Sequence, residues 1–544
     1  MDTLTVLCLA APLLAAALLW LPASRPLGLR LAPWAALPAL LLALAAPIPY
    51  EVDLPWLLLG TRLGLDETGR VFLLFTALIW LAAGWFARAW LADDARRHIF
   101  AGFFLLTQAG NLGVCLVLDA AGFYGFFALM SLAAYGLIVH DRSPPARRAG
   151  RVYLVLALAG EMLILSGLLL VADATHMPAA VACLILGFGV KTGLPLLHVS
   201  LPLAYAATPI PGAAVLAGAM INAGLLGWLR FLPLGEAALP GAGSALMLAG
   251  LLAIFYGVAV GLTQRQPGAL LAYSSISQMG YFSVALGAGL LAPELWPLLL
   301  PVVVLYALHH ALAKGALFLG VGVAERCGAS RRVMLGLALP ALALAGAPLT
   351  SGMLVKGGLK AGLADLPAPW AELLAALLPL AALGTALLMV RLLWLVGRAA
   401  PAQRTSASVV GLLAPWLVLL LALAGLAWMM APQSLITKAL SLGAQLDAAW
   451  PPLAAAALCA IALRLRWRAP MLPPGDVLVP LLRGLAYLRR RAPALPQWRI
   501  ALPSGSRAAA RPPQLESQLR AWGTAGALWL ALLAAVIALL AGTG

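Results

Sequence analysis

The chain has 544 residues, of which 63% are hydrophobic and 10% charged, with a mean hydropathy of +0.99. Soluble domains are roughly 45–50% apolar and about 25% charged, so this composition excludes a soluble enzyme. Apolar runs of about 20 residues recur along the chain, as in an all-α polytopic membrane protein. The formal net charge is +16. Whether this charge reflects membrane topology or nucleic-acid binding depends on where the basic residues lie.

Apolar windows bounded by Arg, Pro and Asp predict about sixteen membrane spans. They are residues 4–22, 29–47, 68–90, 98–118, 121–140, 151–172, 178–200, 208–231, 243–263, 268–291, 296–323, 333–360, 369–396, 409–431, 450–466 and 521–541. No basic residue precedes the first span, so we expect it to be retained as a membrane helix.

The placement of basic residues predicts the orientation of these spans. With the amino terminus outside, 25 basic residues fall in cytoplasmic segments, eleven of them in 464–520, against 4 in outer loops. This asymmetry predicts a multi-pass protein of the bacterial cytoplasmic membrane with both termini on the periplasmic side. The net charge is therefore a topology signal and does not indicate nucleic-acid binding. We also expect a short outer hairpin within 50–67 and a surface helix at Leu481–Arg491,.

The span pattern suggests three parts. Residues 1–97 hold amino-terminal peripheral helices, and residues 98–400 hold the core, whose two halves are roughly 98–231 and 243–396. Residues 401–544 hold carboxy-terminal helices with the basic cytoplasmic segment 464–520.

No cofactor or metal site is expected on this chain. The five cysteines are scattered without a CxxC pair, which favours small core residues over metal ligands. A Walker loop, a dinucleotide-binding fingerprint and haem or iron–sulfur patterns are missing from the sequence. Redox or ATP chemistry, if it is coupled to this chain, is expected on other chains.

Ionisable residues within apolar spans are the strongest functional signal, because each costs about 2.5–3.5 kcal/mol to insert and needs a partner or a purpose. A single one could be a satisfied interhelical hydrogen bond, and Lys360 is expected to extend to the outer interface. A series of them is what a proton path requires. The candidates are Glu161 in the sixth span, Lys191 and His198 in the seventh, His309, His310 and Lys314 in the eleventh, and Lys356 in the twelfth.

Glycine and proline residues predict two interrupted helices. Gly187, Gly189 and Gly193 surround Lys191, and Gly346 and Pro348 precede Lys356 in the twelfth span. Broken helices at membrane depth are tolerated where they face protein or a wet cavity. The tenth span adds polar groups that could hold ordered water, or could simply allow close helix packing: Tyr273, Ser274, Ser277 and Gln278.

Four ordered motifs between about 120 and 360 resemble a known family. It comprises proton-pumping subunits of respiratory complex I, membrane subunits of energy-converting hydrogenases, large subunits of multi-subunit cation/proton antiporters, and the membrane partner of an inorganic-carbon uptake system. The motifs are 187–202 with 206–209, 270–281, 309–319 and 343–356.

The resemblance implies about fourteen core helices with two inverted five-helix repeats, broken helices seven and twelve, and about two peripheral helices. It implies that Lys191 is the central proton carrier of the inner half-channel. It further implies that His310, Lys314 and Lys356 continue the relay towards the outer side.

Two positions depart from the family pattern. Ala128 stands where the family places the fifth-span glutamate, and Asn222 stands where many members carry an eighth-span lysine. Glu161, in the sixth span, is the candidate to replace the missing acid. The prolines of 470–496 exclude one long continuous helix before the last span and argue against the distal complex I subunit.

The leading hypothesis is a proton-translocating subunit, with or without coupling to Na⁺ or K⁺, of a multi-subunit inner-membrane complex. Its expected partners are other membrane subunits, the lipid bilayer and, in some such complexes, a peripheral catalytic subunit. The first alternative is the proton-conducting partner of an inorganic-carbon pump. The second is a structural subunit that lost conduction together with the fifth-span acid.

Overall fold

Helices form almost all of the chain that the computed structural model describes, namely residues 1–465 apart from 56, 58–59, 172–175 and 400–407, together with 472–474. The amino-terminal eleven are α1 Asp2–Trp20, α2 Arg25–Leu31, α3 Leu37–Ala45, α4 Glu67–Trp90, α5 Arg97–Leu116, α6 Ala120–Ile138, α7 Pro144–Leu170, α8 Met177–Thr192, α9 Ser200–Ala207, α10 Ile210–Val215 and α11 Ile221–Phe231. The next nine are α12 Pro240–Gly261, α13 Pro267–Leu291, α14 Trp296–Cys327, α15 Arg331–Ala345, α16 Ser351–Gly362, α17 Trp370–Arg398, α18 Val409–Met430, α19 Gln433–Ala439 and α20 Leu442–Arg464.

The prediction of an all-α polytopic membrane protein is confirmed. In the described part of the chain, 12 helices are long and apolar enough to cross a membrane. With α13 and the two interrupted helices, they account for the first fifteen predicted spans. The predicted last span, the surface helix at Leu481–Arg491 and most of the basic segment lie outside the described residues. The total span count and the three-part division therefore stay predictions.

Two spans that the sequence predicted as continuous are irregular. The second consists of α2 and α3 joined by a 3₁₀ turn at Ala32–Trp34. The eighth consists of α10 and α11 joined by a π-helical segment, Leu216–Met220. Pro33 and Pro38 account for the first irregularity, because proline has no backbone N–H to donate within a continuous helix,. Apolar periodicity cannot reveal the second, because the residues stay apolar through the change of hydrogen-bond register.

The expected hairpin is present as two antiparallel strands, β1 Tyr50–Leu54 and β2 Thr61–Leu65, and its outer location stays a prediction. Leu63 forms a further bridge with Val117 at the end of α5, and the backbone N–H of Arg62 donates to the Asp119 carboxylate at 2.8 Å. The hairpin is therefore fixed to the α5–α6 turn and covers one end of these helices.

Both predicted helix interruptions are present and share one backbone geometry. Between α8 and α9, Gly193 has φ +82° and Leu196 has φ +71°. Between α15 and α16, Gly346 has φ +84° and Leu349 has φ +61°. Glycine adopts this left-handed conformation without the steric cost that a Cβ imposes. Both interruptions thus combine a glycine and, three residues later, a leucine with positive φ.

Helices α12 and α13 pack closely through glycines seven residues apart. A Cβ on Gly250 would lie 2.7 Å from the Gly280 carbonyl oxygen, and one on Gly257 would lie 2.8 Å from the Ser277 backbone nitrogen. Small residues let two helix backbones approach in this way. Ser277 thus lies in a tight helix contact, as the packing alternative for the tenth-span serines expects.

Candidate functional site

Lys191 lies in the last turn of α8, just before the interruption. Its Nζ donates to Ser131 Oγ of α6 at 2.8 Å and to the Tyr153 hydroxyl of α7 at 3.2 Å. The same ammonium lies 5.2 Å from the centre of the Phe127 ring, close enough for a cation–π contact. Side chains of two helices, α6 and α7, thus hold the lysine head group.

Glu161 of α7 lies at the same place and is only 3% exposed. A small cavity of about 30 Å³ is lined by Glu161, Ser131, Tyr153 and Lys191, enough space for at least one water molecule. Among the described residues, no ion pair of 4.0 Å or less involves Glu161. The structure therefore brings the acid and the lysine to one cavity, with the Ser131 hydroxyl and water-sized space beside them.

Ser131 and Tyr153 are site residues that sequence reasoning missed. Ser131 lies three residues after Ala128, on the same face of α6,. Tyr153 lies eight residues, or about two turns, before Glu161 on α7,. Its hydroxyl donates to the Ser131 backbone carbonyl at 3.1 Å. The i, i+4, i+8 spacing of Tyr153, Ala157 and Glu161 was the signal that could have found it.

The irregular eighth span connects the two halves of the core. A Cβ on Gly224 of α11 would lie 3.0 Å from Lys191 Cβ, and one on Gly218 would lie 2.9 Å from the Ala311 carbonyl oxygen of α14. Between them, Asn222 Nδ2 donates to the Gly218 carbonyl at 2.7 Å. Asn222 is fully buried and satisfies a backbone group of the π-helical segment.

His198 lies in the connection that follows the first interruption. Its ring centre is 5.0 Å from that of Tyr256 on α12 and 6.3 Å from that of Tyr273 on α13. Ser274 and Ser277 are fully buried, and their Oγ atoms have no hydrogen-bond partner among the described residues. α13 thus places Tyr273 near His198 and carries two further buried hydroxyl groups.

Lys314 and its histidine neighbours on α14 are fully buried. Lys314 Nζ donates to the Leu271 carbonyl of α13 at 2.8 Å. Neither ring nitrogen of His310, one turn away, has a partner among the described residues. His309 Nδ1 lies 2.9 Å from Ser351 Oγ at the start of α16. Of the two histidines, His309 is thus the one that contacts the second broken helix.

A chain of side-chain hydrogen bonds runs past Gln278 of α13. The Tyr306 hydroxyl donates to Gln278 Oε1 at 2.9 Å, and Gln278 Nε2 donates to Thr385 Oγ1 at 3.2 Å. All three are fully buried, or nearly so. Tyr306 and Thr385 were not predicted, and the chain joins α13 to α14 and α17.

Lys356 follows the second interruption and caps the helix before it. Its Nζ donates to the Leu344 carbonyl at 2.9 Å and the Ala345 carbonyl at 3.4 Å, at the end of α15. The ammonium lies 5.3 Å from the centre of the Tyr281 ring. These carbonyls have lost their helical partners at the break, so Lys356 supplies hydrogen bonds that the backbone cannot.

A cavity of about 490 Å³ extends from Lys356 to the side of the molecule that the charge pattern predicts as outer. Lys360, Lys438 and Asp447 also line it. Lys360 Nζ is 3.8 Å from Asp447 Oδ2, and both side chains are more than half exposed. Within the described residues, no group of three His, Cys, Asp or Glu side chains could hold a metal ion.

The central part of this sequence has known relatives. Residues 117–373 match the family described as NADH:quinone oxidoreductase/Mrp antiporter, TM. The NADH-quinone oxidoreductase subunit N of Desulforudis audaxviator is 31% identical over 350 residues, which cover 57% of this chain and 68% of that protein. The chain belongs to this antiporter-like family.

Two further matches show how far the likeness extends. Hydrogenase-4 component B of Escherichia coli is 28% identical over 286 residues, 48% of this chain and 43% of that protein, so the alignment spans less than half of that relative. A chain of the Mrp complex from Dietzia sp. DQ12-45-1b superposes with a TM-score of 0.68 at 20% identity, covering 84% of this chain and all of that one. Membership in the antiporter-like family identifies the chain as a multi-pass membrane subunit of the ion-translocating type.

Proposed function

We propose that this antiporter-like subunit carries protons across a bacterial inner membrane as part of a multi-subunit complex. The observation that supports this most is the meeting of Lys191 and Glu161 at one small cavity in the protein interior. A buried base beside a buried acid, with space for water, can exchange a proton without leaving net charge behind. The expected relay consists of Glu161, Lys191, His198, His309, His310, Lys314 and Lys356.

The inner step takes place around Ser131. Its hydroxyl accepts from the Lys191 ammonium and can rotate to donate when the lysine is neutral. A proton moving between Glu161 and Lys191 passes through this hydroxyl or a water in the 30 Å³ cavity. In this scheme Glu161 takes the part of the fifth-span acid that Ala128 replaces.

The middle step links Lys191 to Lys314. Asn222, Tyr273, Ser274, Ser277 and Gln278 are the supporting polar groups, because they can orient water without holding a charge. The unpartnered hydroxyls of Ser274 and Ser277 and the free ring nitrogens of His310 favour water molecules in this region, since buried polar groups are normally hydrogen-bonded.

The outer step ends at Lys356. His309 reaches α16 through Ser351, and the cavity of about 490 Å³ beside Lys356 offers a route to the outer surface. In the proposed orientation, with both termini on the periplasmic side, this cavity opens towards the periplasm. Coupling to Na⁺ or K⁺ is the variant of this proposal in which a cation uses the outer cavity.

The partners in this proposal are further membrane subunits and, in a hydrogenase-type complex, a peripheral catalytic subunit. NADH-quinone oxidoreductase, hydrogenase and the Mrp complex are the assemblies that the relatives' names concern. Those names give no specific support to a role in inorganic-carbon uptake. Such a role would be recognised by co-purification of one large zinc-containing soluble protein.

The proposal is tested by proton flux into vesicles that contain the complex purified through this chain. We expect Lys191→Ala to reduce the flux at least tenfold while assembly stays intact, because it removes the buried ammonium that donates to Ser131 and Tyr153,. Lys360→Ala is the matched control, since the Lys360 side chain is 52% exposed and pairs with exposed Asp447. We expect its flux to stay within about twofold of the native value.

Equal loss in both variants would contradict the special role of Lys191. Full flux in Lys191→Ala would favour the structural-subunit alternative, in which the fold is kept and protons cross on another chain.

A further inference from the structure

A cavity of about 290 Å³ lies between α2, α4 and α5, and none of the proposed relay residues lines it. Its walls are mostly apolar and include Pro33, Leu91, Phe100 and Phe104. Three arginines also line it: Arg30 of α2, Arg88 of α4 and Arg97 of α5. An apolar cavity with a cluster of guanidinium groups fits an amphiphile with an anionic head.

The three arginines are available to an external anion. All three are exposed, and among the described residues neither Arg30 nor Arg88 has an acidic partner within 4.0 Å. Arg97 Nη1 donates to the Ala92 carbonyl at 2.8 Å, which holds its guanidinium near the turn between α4 and α5. Guanidinium groups bind phosphate oxygens in two-point fashion.

The backbone at this place also favours an anion. α5 begins at Arg97, and its N-cap residue Arg96 gives no side-chain hydrogen bond to the first turn. The amino-terminal end of a 20-residue helix carries partial positive charge and amide donors. The helix end and the arginines therefore attract the same kind of group.

A second cavity of about 460 Å³ adjoins the first and shares Pro26, Leu29 and Arg97 with it. Its lining adds Arg25 and His98, together with two acids. Of these, Asp94 is paired with the His140 ring nitrogen at 2.9 Å, and Asp93 also has an interaction partner. The net charge of the combined lining thus stays positive.

We propose that this cavity binds one anionic phospholipid, with the phosphate between Arg30, Arg88 and Arg97 and an acyl chain against the apolar wall. The charge pattern places Arg30 and Arg97 on the cytoplasmic side, so the lipid comes from the inner leaflet. Trp34 and Trp85, whose rings meet edge to face at 4.8 Å, lie nearby, as aromatic side chains do at headgroup level. The proposal does not depend on the proton relay.

The test is native mass spectrometry of the purified full-length protein mixed with equal amounts of phosphatidylglycerol and phosphatidylcholine. We expect one phosphatidylglycerol to be retained in preference to phosphatidylcholine. In Arg30→Gln/Arg88→Gln the apparent affinity for phosphatidylglycerol should fall on the order of tenfold. Arg331→Gln/Arg332→Gln removes two exposed arginines of the same predicted side away from the cavity and should leave retention unchanged.

A second variant separates a lipid from a free phosphate. Ala101 lines the cavity and is half-buried, so Ala101→Phe fills acyl space without changing charge and should weaken phosphatidylglycerol retention. Free glycerol phosphate at the same concentration should not displace the lipid. Equal retention of both lipids, equal loss in both arginine double variants, full retention in Ala101→Phe, or a partner subunit's helix found seated in the cavity would each overturn the proposal.

Discussion

The two interrupted helices share a backbone design and differ in what their lysines do. In the first, Lys191 precedes the break and is held by side chains of α6 and α7. In the second, Lys356 follows the break and donates to carbonyls of the half-helix before it. Glu161 lies at the cavity of the first, whereas no acid lies as close to Lys356 among the described residues that line its cavity, where Asp447 pairs with Lys360.

This difference shows that a lysine at a helix break can have two tasks. Lys191 makes no hydrogen bond to the backbone ends at its break, so it can lose its proton without exposing a carbonyl. Lys356 both titrates in the proposed relay and stabilises the end of α15. We therefore expect function and stability to be separable at the first break and linked at the second.

The largest expected effect concerns the segment between the two lysines. The double variant His310→Ala/Lys314→Ala removes two adjacent buried groups from the proposed path and should reduce proton flux at least tenfold. Vesicle flux at constant protein density measures this. Ser283→Ala on α13 is a suitable control, because the Ser283 hydroxyl only donates to the Met279 carbonyl of its own helix. Native flux in the double variant would show that protons travel elsewhere.

The next effect is on stability. Lys356→Gln should lower the free energy of unfolding by about 1–3 kcal/mol, because the Leu344 and Ala345 carbonyls lose their donor. Lys191→Gln should cost less, since the Tyr153 hydroxyl keeps its bond to the Ser131 carbonyl and the Ser131 hydroxyl can bond to water. Thermal unfolding of both variants in the same detergent makes the comparison. A larger loss in Lys191→Gln would reverse the roles that we assign to the two lysines.

The breaks themselves can be tested by a pair of glycine substitutions in the second region. Gly346→Ala places a Cβ at φ +84° and 3.1 Å from Lys356 Cδ, and should destabilise by about 1–2 kcal/mol. Gly357→Ala, within α16 and with open space around its Cβ position, should be neutral or stabilise by up to about 1 kcal/mol. Equal unfolding midpoints for the two variants would show that the break does not need its glycine.

The smallest expected effect is on stability and concerns Asp94, in the loop between α4 and α5. Burial raises the pKa of Asp94, but hydrogen bonds from His140 and the Arg96 backbone lower it by more, so the net shift is downward. The pair therefore contributes stability above about pH 4, the unfolded value, and loses it as pH falls further. Asp94→Asn should lower the unfolding temperature on the order of 1 °C at pH 7.

The matched control for Asp94 is Asp365→Asn, which changes an exposed acid. It should leave the unfolding temperature unchanged at both pH 7 and pH 3. The difference in unfolding temperature between the native protein and Asp94→Asn should vanish near pH 3. A difference that stays the same across this range would mean that the carboxylate charge is not what stabilises the loop.

Much of the fold could be predicted because membrane insertion leaves a strong signal. Apolar windows located the 12 described helices that are long and apolar enough to cross a membrane. Gly193 and Gly346 marked both breaks through the special backbone conformation that they allow. The π-helical segment at Leu216–Met220 was missed, since it arises from a change in hydrogen-bond register that residue types alone do not encode.

The charged residues of the site could be predicted from the sequence, whereas most of their neutral hydrogen-bond partners could not. Buried lysines stand out because charge inside a membrane is costly, but a serine or tyrosine in an apolar span has many packing roles. Ser131 became recognisable only when Lys191 Nζ was seen 2.8 Å from its hydroxyl. Likewise, that His309 contacts Ser351 depends on how α14 and α16 pack, which local sequence does not fix.

The central claim is that Glu161 supplies the acid that position 128 lacks. Proton flux in Glu161→Gln, beside the double variant Glu161→Gln/Ala128→Glu, tests it most directly, because residue 128 lies one turn before Ser131 on the same face of α6. We predict at least a tenfold loss in the single variant and substantial recovery in the double variant. Native flux in Glu161→Gln would contradict the claim.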